Sequence, residues 1–115
     1  SLGAYLFLHA QMQLPCFPGN VLLLSPIVGQ FFEGASGVGF VPPRSRKLRK
    51  AAESNLFPTP AKCSIHVGAD DQQSIPADVV FFGERVGIPV NIVQKNGHRL
   101  DHDYVRGLLD SWSAC

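Results

Sequence analysis

Three side chains in this 115-residue sequence have the types and the order of a nucleophilic relay: Ser1, Asp71 and His98. A serine hydroxyl becomes a useful nucleophile when an imidazole takes its proton. The imidazole does so best when a carboxylate fixes its tautomer and stabilises its charged form. Ser1-Leu2-Gly3 has the form of the last three residues of a G-x-S-x-G turn, so the chain reads as opening inside that motif. Asp71 follows Val67-Gly68-Ala69-Asp70 and precedes Pro76, and His98 closes Val93-Gln94-Lys95-Asn96-Gly97-His98.

The elements that must position these groups follow from the apolar pattern. Residues 1–13 are rich in Ala, Leu and Phe, and Pro15 with Pro18-Gly19-Asn20 closes them, which predicts a short helix, apolar nearly all round and packed centrally on a sheet. Val21-Leu22-Leu23-Leu24 is a continuous apolar run ended by Ser25-Pro26, the pattern of a parallel strand covered on both faces. Cys63 to Val67 and Val90 to Val93 predict two further strands, and Pro76 to Val86 and His102 to Trp112 two further helices. The repeat of strand, loop and helix implies right-handed crossovers and a parallel α/β sheet with flanking helices. Residues 27–60 interrupt it with Gly34, Gly37 and Gly39, Phe31-Phe32 and the run Arg44 to Lys50, which reads as an insertion whose basic half continues as a helix to Glu53. No second domain is indicated, so residues 1–115 read as one partial domain containing that insertion.

The serine at the head of a helix, an aspartate after one strand and Gly-His after the next together resemble the C-terminal portion of an α/β-hydrolase, beginning at the nucleophile elbow. The resemblance spans almost the whole chain. It implies an esterase-like serine hydrolase, cleaving an ester or less readily an amide through an acyl-enzyme on Ser1, with His98 as base and Asp71 as its orienting acid. It implies that the Leu2 amide donates to the oxyanion beside the positive end of the first helix. The insertion 27–60 falls where that family places a lid, so Phe31, Phe32 and Phe40 would line an acyl pocket. No cofactor is required. An exposed edge at strand 21–24 would call for the missing N-terminal half of the fold or a self-association partner.

Each residue also has a plainer reading. Ser1 suits a helix N-cap, Asp71 a loop position or a cap before Pro76, and His98 a surface turn. His9 and His66 fall in apolar segments as core or helix residues. His98 and His102, with Asp101 and Asp103 nearby, have a ligand-like spacing, but Gly97 indicates a loop and no third cluster exists, so no metal is expected. The basic run holds five of the ten Lys and Arg residues. With no interleaved aromatic and a net charge of only +1, it reads as a solvated surface and not as a nucleic-acid site. Three cysteines without C-x-x-C spacing indicate no disulfide framework, and the default compartment is cytoplasmic. The apolar stretch from Leu2 to Ala10 is too short for a membrane span. The reading that competes with a hydrolase is a non-catalytic α/β domain or structural half acting in protein interaction.

Overall fold

A computed structural model of the protein describes residues 2–29 and 45–113. Among these residues three parallel strands, β1 (Asn20–Leu24), β2 (Lys62–Gly68) and β3 (Val90–Val93), lie side by side in chain order. The described helices that flank them are α1 (Leu2–Gln11), α2 (Ser45–Glu53), α3 (Pro76–Val86) and α4 (His102–Ser113). The register pairs Leu23 with Ile65 and Ile65 with Val90, so these three project to one face, and His66 with its neighbours Leu24 and Asn91 to the other.

That alternation sorts the helices. Leu23, Ile65 and Val67 pack with Leu8 of α1, Leu48 and Ala52 of α2, and Val79 and Phe82 of α3, forming the main core. Phe82 is fully buried, with its ring edge-on to Phe57 at 5.8 Å between centroids. Burial of one such side chain contributes about 1.5–3 kcal/mol. On the opposite face α4 meets the sheet through Tyr104, whose hydroxyl lies 2.7 Å from His66 Nδ1.

Local chemistry sets the ends of α3. Pro76 occupies its first turn, where a missing N–H costs nothing, and Gly87 closes it in the left-handed conformation with its N–H on the Gly83 carbonyl. Gly83 is needed for another reason: a Cβ there would overlap the Val90 side chain, so its absence lets α3 sit directly on β3.

Two sequence-based expectations are corrected. α1 is not buried all round. Tyr5, Leu8 and Gln11 are buried while Leu6 is 59 % exposed, because the helix packs on the sheet by one face only. β1 is not covered on both faces either: only Leu23 is buried, and Val21, Leu22 and Leu24 are partly exposed. Among the described residues β1 pairs with β2 alone, and Gly3, Ala4 and Phe7 of α1 form with Val21 to Leu24 an apolar groove of about 370 Å³. The described parts of the insertion 27–60 belong to the core, since Ile27, Val28, Leu48, Ala52 and Phe57 are all buried in it. The outer side of α2 carries Arg46, Lys47 and Lys50 into solvent. No described helix is long and apolar enough to cross a membrane.

Candidate active site

The carboxyl ends of parallel strands open into loops, and two of the three residues singled out from the sequence meet there. β2 ends at Gly68, and a tight turn closed by the Asp71 N–H on the Gly68 carbonyl (3.1 Å) carries Asp71 inward. β3 ends at Val93, and its loop returns over β2: Ala69 N–H donates to the Val93 carbonyl and Asp70 N–H to the Asn96 carbonyl, both at 2.9 Å. The crossing brings His98 Nδ1 to 3.0 Å from Asp71 Oδ2 and 3.1 Å from Oδ1.

The Asp71 side chain is fully buried and that of His98 is 24 % exposed. A buried carboxylate needs donors. Asp71 Oδ1 accepts the backbone N–H groups of Gln73 and Ser74, each at 2.8 Å, and the imidazole completes the set. With the carboxylate accepting throughout, His98 Nδ1 carries the proton and donates it to Asp71. Nε2 is left as the acceptor. The plainer reading of Asp71 as a loop cap therefore holds alongside the pairing: one carboxylate braces its own loop and orients a histidine. α3 itself begins after Ile75 without a side-chain cap. Asp70 is exposed, whereas Asp71 is buried.

Ser1, Phe31, Phe32 and Phe40 lie outside the described residues. Leu2 is the first residue of α1, so its N–H is among those that have no partner within the helix. A shallow pocket of about 320 Å³ lies beside the pair, lined by Leu24, Ser25, His98, Arg99, Leu100 and Val105. Two residues of this region were not read from the sequence, Ser25 and Ser74, both buried and both hydrogen-bonded across loops. The signal was slight: Ser25 appeared only as the residue ending an apolar run.

Compared with known protein families, curated proteins and solved structures, the chain matches none of them.

The remaining polar residues sort by geometry. Asp101 caps α4, its carboxylate accepting the Tyr104 N–H at 3.1 Å. Among the described residues no three His, Cys, Asp or Glu side chains are grouped to hold a metal. Burial pushes the Cys63 thiol up to about 11, which keeps it protonated and unreactive at neutral pH. Cys16 is exposed, and both are free thiols.

His9 rests against Tyr5 with ring centroids 4.3 Å apart. His66 is a buried core histidine, its Nδ1 on Tyr104 Oη and its Nε2 3.2 Å from Ser64 Oγ. Burial lowers its pKa below the usual 6.5. The unfolded chain therefore binds this proton more readily than the native one. The contribution of neutral His66 to stability is full above about pH 6.5 and declines as pH falls from there toward the lower native value. Urea midpoints measured from pH 8 to pH 5 should fall more steeply for the native sequence than for His66→Gln; parallel curves would show that the histidine does not couple protons to folding.

Proposed function

We propose that the chain acts as a serine hydrolase on an ester, or less readily an amide, with Ser1 as nucleophile, His98 as base and Asp71 as the residue that orients the base. The observation that carries this reading is the His98–Asp71 hydrogen bond at the carboxyl ends of neighbouring parallel strands. A buried, doubly braced carboxylate holding an otherwise accessible imidazole is the arrangement a general base requires. In the same reading the sheet is part of an α/β-hydrolase fold, with residues 27–60 as an insertion that lines the acyl side through Phe31 and Phe32.

The reaction divides into two transfers. Ser1 Oγ attacks the ester carbonyl while its proton passes to His98 Nε2, and the negative charge that develops on the carbonyl oxygen is met by the Leu2 N–H at the head of α1. The tetrahedral intermediate collapses, the bond to the leaving alcohol breaks, and His98 returns the proton to the alcohol. Water then enters, loses its proton to His98, and releases the acid by the reverse sequence.

A fluorophosphonate probe tests this on the full chain. The expected result is a single adduct mapped to Ser1, absent from Ser1→Ala and reduced by at least about a thousandfold in rate in His98→Ala. An adduct at another residue, or none, overturns the assignment. The second reading, a domain for protein interaction, is favoured by the apolar groove along the outer edge of β1. In that case partner affinity survives both substitutions.

A further inference from the structure

Ser25 follows β1 with φ of 48°, in the left-handed region that glycine adopts far more readily than other residues. A non-glycine residue held there costs on the order of 1 kcal/mol or more and persists only where the surroundings over-determine it. Here they do. Ser25 is 4 % exposed and each of its polar groups is engaged: its N–H donates to the His66 carbonyl at 2.9 Å, its Oγ to the His98 carbonyl at 2.6 Å, and its carbonyl accepts the Ser74 Oγ at 2.7 Å. The Ser74 N–H in turn donates to Asp71 Oδ1, and Asp71 binds the His98 ring. The four residues thus form a closed circuit, Asp71 to His98 to Ser25 to Ser74 and back to Asp71, through loops at the ends of all three strands.

If the turn after β1 were all that mattered, glycine would fill position 25 at lower conformational cost. The hydroxyl is what glycine would lack, and it binds the main chain of the very residue whose ring faces Asp71. We propose that Ser25 and Ser74 are positioning residues: Ser25 fixes the His98 backbone, Ser74 ties Ser25 to the Asp71 loop, and together they hold the imidazole in one orientation and one tautomer. The kinetic consequence rests on the hydrolase reading; the orientation of the ring does not.

Two substitutions separate placement from turn geometry. Ser25→Gly relieves the left-handed backbone but removes the hydroxyl, and Ser74→Ala removes the link while Ser74→Thr retains it. Nitrogen-15 spectra of labelled histidine in the full chain are expected to show His98 as a single Nδ1–H tautomer in the native sequence and in Ser74→Thr. Ser25→Gly and Ser74→Ala should give a mixture of tautomers, with a thermal midpoint lowered modestly for Ser74→Ala and less so for Ser25→Gly, where relief of the left-handed backbone offsets part of the lost hydrogen bond. In ester hydrolysis the same two variants should lose about tenfold to a hundredfold in kcat with KM little changed, the size of effect that a misplaced catalytic group produces. A single Nδ1–H tautomer in Ser25→Gly together with native kcat overturns the proposal. A native protein that hydrolyses no ester overturns the hydrolase reading instead, and the spectra still decide the positioning role.

Discussion

On the proposed hydrolase reading, Asp71→Asn is expected to lower kcat for ester hydrolysis by about 10⁴ while leaving the fold intact. The reason lies in how the two carboxylate oxygens divide their work. Oδ1 accepts the N–H groups of Gln73 and Ser74, and an asparagine oxygen serves those donors equally well. Keeping that brace directs the asparagine NH₂ toward His98, 3.0 Å away in the native pair. An NH₂ offers only protons, so His98 Nδ1 must become an acceptor and the ring proton moves to Nε2. An imidazole protonated at Nε2 has no lone pair there to receive the serine proton. The loss therefore falls on kcat, with KM close to native, and the histidine spectrum shows Nε2–H in place of Nδ1–H. Asp70→Asn is the control, because that side chain is exposed where Asp71 is buried, and it should change kcat by less than about twofold. Retention by Asp71→Asn of more than a tenth of native kcat would remove Asp71 from the mechanism.

Legibility in the sequence followed the range of the interactions involved. α3 was readable to the residue because both of its ends are set locally, by Pro76 and by Gly87. β3 was readable for the same reason, lying between Pro89 and a polar turn. The Asp71–His98 pairing was legible through order and strand-end placement, since neighbouring parallel strands bring their terminal loops together wherever such a sheet forms. What the sequence could not show was which surfaces are covered. The all-apolar run of α1 gives no sign that Leu6 faces solvent, and β1 resembles a two-sided strand although its neighbours enclose only Leu23. Asp101, which the sequence shows only as a carboxylate near His98 and His102, is a helix cap, a role that depends on where α4 starts. Ser25 and Ser74 were least visible of all. Their bonds join residues 73 and 49 positions apart, and a lone serine at a strand end carries no periodic or spacing signal.

Gly68→Ala should be the most damaging of the small substitutions. A Cβ at position 68 would overlap the carbonyl oxygens of Asn96 and Gly97, main-chain atoms of the loop that delivers His98. A flexible side chain could swing aside, but this loop is held. Asp70 N–H binds the Asn96 carbonyl, Asn96 Nδ2 donates to the Gln94 carbonyl at 2.9 Å, and Lys95 already stands at φ of 62°. The added methyl must therefore either break the crossing contact or lift the loop as a unit. Both routes draw the His98 backbone away from Ser25 and the ring away from Asp71. Overpacking of this kind costs about 1–3 kcal/mol in stability, and a shift of about 1 Å in the base is enough to lower the rate about a hundredfold. The expected outcome is a lower urea midpoint together with loss of the single Nδ1–H tautomer and of most fluorophosphonate labelling. Gly107→Ala is the matched control: a Cβ at that position in α4 meets nothing within 4 Å, and alanine favours a helix interior over glycine by about 1 kcal/mol, so that variant should gain stability and keep its labelling rate. Native labelling in Gly68→Ala would mean that the loop carrying His98 can move without consequence, and the tight crossing over β2 would then have no part in placing the base.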